Sequence, residues 1–200
     1  MTERAFTGAS AGRQPFVVRP FVGTVVFRNV ARIRTTQLWT PTVRPGRLSK
    51  GFPALYASLS LEVSLAERVK RTTVDAVELT VGEGAVALGM VADLTATQAR
   101  QQVRVTLRGL TGTDYTVPQR IGARAYHAGL AGLLVPAAIR TVANQYPAII
   151  MHVNNVRLRF RTPSSGVNLV VFPEHMRRGD SLHEILRYDC VVQGVRKVPG

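Results

Sequence analysis

The chain has 200 residues, of which 46% are hydrophobic and 19% charged, and its formal net charge at pH 7 is +14. A chain of this length and composition folds as one domain around one core, which excludes intrinsic disorder. The single cysteine, Cys190, excludes an internal disulfide and suits a reducing cytosol.

The N-terminal segment lacks the apolar stretch that a secretory signal needs. The longest apolar-rich segment, residues 128–139, is interrupted by glycines and Pro136 and is too short to span a bilayer. We therefore expect a cytoplasmic protein that does not engage a membrane. Residues 1–14 are rich in small and polar types and predict a flexible tail, which leaves residues 15–200 as a single domain.

The positive charge comes from 23 arginines and 3 lysines. A basic protein attracts nucleic acid, anionic nucleotides and acidic partners, and charge alone does not choose among these three. The arginines are also scattered along the chain, so the charge is weak evidence for function.

The first predicted elements are strands. Residues 16–20 and 23–30 predict two short β-strands with turn residues between them. Residues 41–53 predict a loop, because three prolines and two glycines interrupt any regular pattern. Residues 54–58 predict the next short strand.

A helix is predicted directly after this strand. The hydroxyl of Ser60 can accept from the free amides of a first helical turn. Leu61, Leu65 and Val69 recur every fourth residue, which gives the helix a buried seam.

Two further strands are predicted at residues 74–81 and 85–94. Residues 82–89 lack the third glycine of a dinucleotide-binding loop and lead into a strand, so they predict a hairpin turn.

The second half of the chain mixes helices and strands. A short helix is predicted through residues 98–102. A longer one is predicted within residues 116–129, with Pro118 near its first turn and Gly129 just past its end. Further strands are predicted at residues 133–136, 146–153, 156–161 and 168–173. Many strands with few helices predict a mixed α/β domain with a mixed or antiparallel sheet.

No metal site is predicted, because the four histidines show no paired spacing and have no cysteine neighbour. Residues 156–161 place Arg157, Arg159 and Arg161 on one face of a strand. A basic face can lie along a phosphate backbone, but the same pattern is typical of a solvated outer face. We favour the solvated face and expect no direct nucleic-acid binding.

Three residues in the first half of the chain combine different chemistry, namely Arg47, Tyr56 and Glu67. At about 100° per residue, Glu67 lies roughly 160° from the centre of the predicted helix seam. Periodicity therefore predicts a solvated glutamate and a core tyrosine. From the residues alone the chain is a basic α/β domain that suits an anionic ligand.

The same stretch resembles the RES domain, a bacterial family, and the similarity extends over residues 25–192. The segment VVFRNV is similar to the family's opening arginine segment, which gives Arg28 as a match. The segment PGRLSKGFPALYASLSLEVSLAE is similar to the family's glycine-arginine turn, tyrosine strand and helix. It gives Arg47, Tyr56 and Glu67 as matches.

RES proteins are commonly toxins of toxin–antitoxin pairs, with a fold similar to that of ADP-ribosyltransferase toxins, and known members consume NAD or transfer its ADP-ribose. The resemblance implies an NAD glycohydrolase, phosphorylase or ADP-ribosyltransferase without a metal. Glu67 would stabilise the positive charge that develops on the ribose. Tyr56 would stack on nicotinamide, and Arg28 and Arg47 would pair with pyrophosphate. The implied partners are a helix-turn-helix antitoxin and a second copy of the chain in a homo-oligomer.

The chain departs from the family pattern in three places. In the glycine-arginine turn, Leu48 and Ser49 replace an aromatic residue and an amide of the family pattern. Ala137 stands at the position of the family's serine, which would bind phosphate or ribose through its hydroxyl. Residues 140–165 predict an insertion, which supplies Ser164 or Ser165 to the site, forms an interface or accompanies lost catalysis. The alternative to an enzyme is therefore a catalytically impaired RES-like protein that acts as a binding module.

Overall fold

The computed structural model describes residues 4–5, 16–71 and 76–196. Most of the predicted tail, residues 1–14, lies outside the described residues. The strands are β1 Arg4–Ala5, β2 Val17–Ala31, β3 Leu55–Ser58, β4 Val77–Asp93, β5 Gly132–Pro136, β6 Ala148–Val153, β7 Val156–Arg161, β8 Val167–Val171 and β9 Ser181–Val195. The α-helices are α1 Leu61–Lys70, α2 Thr97–Gln102, α3 Leu107–Thr111, α4 Thr116–His127 and α5 Arg140–Gln145, and two 3₁₀ helices cover Arg32–Gln37 and Pro173–His175.

The strands form a nine-stranded sheet in the order β1-β2-β3-β8-β5-β4-β9-β6-β7. An additional pairing between β2 and β4 closes β2, β3, β8, β5 and β4 into a ring. Strands β4 and β5 are parallel, and the other pairings are antiparallel. The mixed α/β fold with a mixed sheet is therefore confirmed.

The predicted hairpin turn at residues 82–89 is wrong, because these residues lie within β4, which pairs with β2 and β9 along this stretch. Its glycines serve close packing instead. A Cβ atom at Gly82 would lie 2.5 Å from Leu38 Cδ2, and one at Gly84 would lie 2.8 Å from Trp39 Cη2. Only a residue without a side chain lets Leu38 and Trp39 lie this close to the sheet.

The two strands predicted at residues 16–20 and 23–30 are one long strand, β2. The turn residues between them produce two irregularities in its pairing with β4, between Arg19 and Phe21 and between Val22 and Thr24. Gly23 has a φ of 70°, a left-handed value that is typical of glycine in one class of bulge and that residues with a side chain rarely adopt. The turn signal was therefore a bulge signal.

The predicted N-terminus of α1 and the C-terminal end of α4 are confirmed. The hydroxyl of Ser60 accepts from Val63 N at 3.3 Å at the start of α1, and Leu65 and Val69 are buried. Gly129 follows α4 with a φ of 72°. Among the described residues, no helix combines the length and the apolar character that crossing a bilayer requires.

Candidate active site

A cleft of about 570 Å³ opens where β2, β3, α1 and the loop before β3 meet the ends of β5 and β8. Arg28, Arg47, Tyr56 and Glu67, which the resemblance assigned to the site, all line this cleft. They come from four different elements of the chain. The fold therefore brings together four of the five predicted site residues.

Arg28 lies on β2 and is held by backbone carbonyls. Its Nη1 donates to Tyr56 O at 2.9 Å and its Nη2 donates to Thr40 O at 3.4 Å. Its Nε is buried and has no hydrogen-bond partner among the described residues. Burial lowers the pKa of Arg28 to about 10, because removal from water disfavours the charged form. An anion bound beside Arg28 would offset this cost.

Tyr56 lies on β3 and is anchored by its hydroxyl, which accepts from Leu48 N at 2.9 Å and shares a hydrogen bond of 2.9 Å with Ser49 Oγ. A Cβ atom at Gly46 would lie 2.6 Å from the Tyr56 hydroxyl, so the turn before Leu48 closes tightly over the ring. Burial raises the pKa of Tyr56, and the bonds to Ser49 and Leu48 oppose that shift. The phenol is therefore a neutral wall of the cleft.

Replacement of Tyr56 by phenylalanine should lower the free energy of unfolding by about 1–2 kcal/mol, because it leaves the buried Leu48 N–H without its acceptor. Urea denaturation monitored by circular dichroism measures this loss. Tyr115→Phe is the matched control. Tyr115 is 39% exposed, and the contact of its ring with the Arg47 guanidinium does not need the hydroxyl. Equal stability of both variants would contradict the anchoring role of the Tyr56 hydroxyl.

Arg47 connects the cleft to the end of α3 and to the residues between α3 and α4. Its Nη1 donates to Leu110 O at 3.2 Å and to Gly112 O at 2.6 Å. Its guanidinium carbon lies 4.5 Å from the centroid of the Tyr115 ring, within the range of a cation–π contact. Arg47 thus stabilises the fold as well as lining the cleft, and its pairing with pyrophosphate stays a prediction.

Glu67 lies on α1, and one oxygen of its carboxylate is held by two hydrogen bonds. Its Oε1 accepts from Ala138 N at 3.2 Å and from Asn168 Nδ2 at 3.3 Å. Its Oε2 lies 4.0 Å from Arg71 Nη2. The side chain is 20% exposed, so the helical periodicity that predicted a solvated glutamate was misleading. One oxygen of Glu67 is anchored, and the other lies on the side of Arg71.

The two donors to Glu67 are themselves held. Ser58 Oγ donates to Asn168 Oδ1 at 2.8 Å, which turns the amide nitrogen of Asn168 toward the carboxylate. Lys70 Nζ donates to Ala138 O at 2.6 Å, on the same residue whose N–H reaches Glu67. Burial lowers the pKa of Lys70, and the negative charge of Glu67 opposes that shift. This support restricts the carboxylate to one orientation.

Ala137 is the predicted site residue that does not line the cleft. It is 7% exposed and belongs to an apolar cluster with residues of α1, α5 and β6. Its neighbours on both sides belong to the site. Pro136 lines the cleft, and the N–H of Ala138 donates to Glu67. A role for position 137 in ligand binding stays a prediction.

The predicted insertion, residues 140–165, forms α5 and the β6–β7 hairpin, which adds two strands to one end of the sheet. Ser164 and Ser165 are exposed in the segment that follows β7, and neither lines the cleft. This arrangement therefore does not support the prediction that Ser164 or Ser165 contributes to the site.

The charge of the cleft is strongly positive. Glu67 is the carboxylate among its lining residues. The arginines that line it are Arg28, Arg34, Arg44, Arg47, Arg68 and Arg71. Positive side chains of this density in a concave site raise the local concentration of anions and stabilise bound phosphates. Among the described residues, no group of three or more His, Cys, Asp or Glu side chains has the arrangement of a metal site.

Sequence reasoning missed Asn168, which donates to Glu67, and Ser58, which holds Asn168. Asn168 is a polar residue in the otherwise apolar strand VNLVV, and Ser58 ends the apolar strand LYAS. Ser58 is buried and Asn168 is half-buried, and polar side chains that are withdrawn from water need hydrogen-bond partners, which is a signal for a site. The partner itself is not visible in the sequence, because it lies on a distant helix.

Comparison with known proteins shows a family match and a similar solved structure. The model of the RES domain matches residues 26–189. The chain is also similar to a chain in the crystal structure of the M. tuberculosis MbcT–MbcA toxin–antitoxin complex, with 22% identity, a TM-score of 0.60 and coverage of 86% of both chains. At this identity the likeness concerns the fold. A comparison with curated proteins found no match. Because the family match spans most of the sequence, the chain belongs to the RES domain family.

Proposed function

We propose that this protein is a RES-type toxin that binds NAD in the cleft and cleaves its nicotinamide–ribose bond. The observation that carries the proposal is the carboxylate of Glu67, oriented by two donors inside a cleft lined with arginines. NAD carries a pyrophosphate, which arginines can bind, and a glycosidic bond, at which a carboxylate can stabilise positive charge.

The proposed chemistry assigns each group one task. Loss of nicotinamide produces an oxocarbenium-like transition state, and the Glu67 carboxylate stabilises the positive charge on the ribose. Arg28 and Arg47 pair with the pyrophosphate through their planar guanidinium groups. Tyr56 stacks on the nicotinamide ring. Water, phosphate or a protein side chain accepts the ADP-ribose, giving hydrolysis, phosphorolysis or ADP-ribosyl transfer.

The test is NAD consumption by the purified chain, with the products separated by chromatography in the presence and absence of phosphate. Release of nicotinamide at a rate proportional to protein concentration supports the proposal. Intact NAD together with no labelling of protein by NAD carrying labelled ADP-ribose would overturn it.

A second candidate is a catalytically impaired RES-like protein that acts as a binding module. Ala137 favours it, because this position lacks the hydroxyl of the family's serine. Absence of NAD turnover by the wild-type chain, together with turnover by Ala137→Ser, would support this candidate.

For both candidates, the implied partners are a helix-turn-helix antitoxin and a second copy of the chain. Co-purification tests for the antitoxin, and mass photometry tests for the homo-oligomer.

If the enzyme proposal holds, Asn168→Ala should lower kcat about ten- to a hundredfold with little change in KM, because Glu67 loses one of the two donors that orient it. Steady-state kinetics measure this split. In a Glu67→Gln background the same change should add no further loss, since both act through one carboxylate.

The control for Asn168→Ala is Asn144→Ala, an exposed asparagine on α5. Its kcat should equal that of the wild type. Two results would show that Asn168 acts on substrate binding and not through Glu67. One is a rise in KM without a change in kcat, and the other is an activity of the double variant that equals the product of the two single effects.

A further inference from the structure

The outer edge of β7 has no partner strand among the described residues, since β7 is the last strand of the sheet and pairs with β6 alone. Val156 and Leu158 on this strand are 55% and 40% exposed. Free strand edges pair readily with other extended chains. The edge of β7 is therefore a candidate interface, and the residues along it indicate which kind of chain can bind there.

The geometry of the hairpin shows which residues of β7 present their backbone to the free edge. Asn154 and Asn155 have φ values of 46° and 68° and form a two-residue turn of the type that joins antiparallel strands. Thr162 N donates to Pro147 O at 3.1 Å, one position beyond the last β6–β7 pair. Hydrogen-bonded positions alternate along an antiparallel pair. Even-numbered residues of β7 therefore bond to β6.

It follows that the odd-numbered residues of β7 direct their N–H and C=O groups away from β6. These residues are Arg157, Arg159 and Arg161, and all three are exposed. Their side chains share one face of the sheet, because successive residues alternate between faces. Among the described residues, none of the three has a carboxylate within salt-bridge distance. The free backbone groups and the free cations thus come from the same three residues.

We infer that the β7 edge binds an extended acidic segment of a partner protein, which adds a strand to the sheet. A residue directly opposite an arginine on the added strand lies on the same face as that arginine. Acidic residues at alternate positions of the added strand would therefore face Arg157, Arg159 and Arg161. The intervening residues would lie over the exposed side chains of Val156 and Leu158, which favours apolar types there.

The same charges argue against a second copy of this chain at the edge. Antiparallel self-pairing centred on Arg159 would place Arg157 opposite Arg161 of the other copy and Arg159 opposite itself. Like charges directly opposite one another destabilise a strand pair. The occupant therefore differs from β7 in charge.

The test is titration of the full chain with a synthetic peptide of about ten residues, the length of a strand with its flanks, that alternates glutamate with valine or threonine. The control peptide has the same composition with its glutamates in one block. Nuclear magnetic resonance should show perturbed amides at Arg157, Arg159 and Arg161, with slower hydrogen exchange. The alternating peptide should bind at least about fivefold more tightly than the control.

Two substitutions at one position separate strand addition from simple charge attraction. Arg159→Ala removes a cation, whereas Arg159→Pro also removes an outward N–H while leaving the bonds to β6 intact. Arg159→Pro should therefore weaken binding about fivefold more than Arg159→Ala. Arg178→Glu, an exposed arginine outside the sheet, should leave binding unchanged.

Several results would overturn the inference. Equal affinities of Arg159→Pro and Arg159→Ala would mean that the face attracts acidic chains without strand pairing. Equal affinities of the alternating and blocked peptides would mean the same. Binding of a single-stranded DNA oligonucleotide without binding of either peptide would assign the arginine face to nucleic acid. Absence of any binding would leave the arginines as a protection of the edge against aggregation. None of these results depends on NAD cleavage.

Discussion

Glu67→Gln should lower the rate of NAD cleavage at least about a hundredfold while leaving the fold intact. Glutamine has the size of glutamate, and its amide oxygen can still accept from Ala138 N and Asn168 Nδ2. What it lacks is the negative charge that stabilises the oxocarbenium-like ribose. The loss should therefore appear in kcat, since the charge acts mainly in the transition state.

The measurement is nicotinamide release by wild type and variant at matched concentrations, with thermal denaturation of both to verify folding. Glu62→Gln is the matched control, because Glu62 lies on the same helix and does not line the cleft. It should retain wild-type turnover. Full activity of a folded Glu67→Gln would show that Glu67 does not act in catalysis. An inactive wild type would favour the binding module over the enzyme.

Gly122→Ala should destabilise the protein by about 3 kcal/mol or more, even though alanine is the better helix former. Gly122 lies on α4, and a Cβ atom there would lie 1.8 Å from Leu48 O. Such an overlap with a backbone atom requires α4 and the turn around Leu48 to separate. The same turn holds the Tyr56 hydroxyl and carries Arg47, so the cleft would be lost together with stability.

Chemical denaturation measures the free energy of unfolding, and Gly109→Ala on α3 is the matched control. Its Cβ atom would lie 3.2 Å from Thr106 Oγ1, a side-chain atom that can move. We expect a change within about 1 kcal/mol for this control. Stability of Gly122→Ala equal to that of Gly109→Ala would mean that α4 does not contact the turn as closely as the structure indicates.

Local signals predicted several elements well, but they divided the long strands β2 and β4 in two and missed β9. A capping serine with an apolar seam is a local pattern, and it predicted the start and buried side of α1. Strand β9, Ser181–Val195, was missed, because charged residues interrupt its apolar ones and much of it is exposed. Glycines in β4 were read as a turn, since nothing local distinguishes a turn glycine from one beneath a packed side chain such as Trp39.

The candidate site was predicted in the same uneven way. Family resemblance brought forward Arg28, Arg47, Tyr56 and Glu67, and the fold places all four on one cleft. Periodicity alone would have left Glu67 in solvent. It treats α1 as an isolated helix with one buried side, whereas β8 and the segment after β5 also contact the side that carries Glu67.

By itself, the sequence determined the properties that depend on neighbouring residues: a mixed α/β chain, the Ser60 cap, the loop over residues 41–53 and an excess of arginine that suits anions. Only the tertiary structure decided which arginines share a cleft with Glu67 and which atoms orient its carboxylate. The reason is separation along the chain, because the donors at Ala138 and Asn168 are 71 and 101 residues away from Glu67. Local sequence patterns extend over a few residues and therefore do not reveal contacts over such separations.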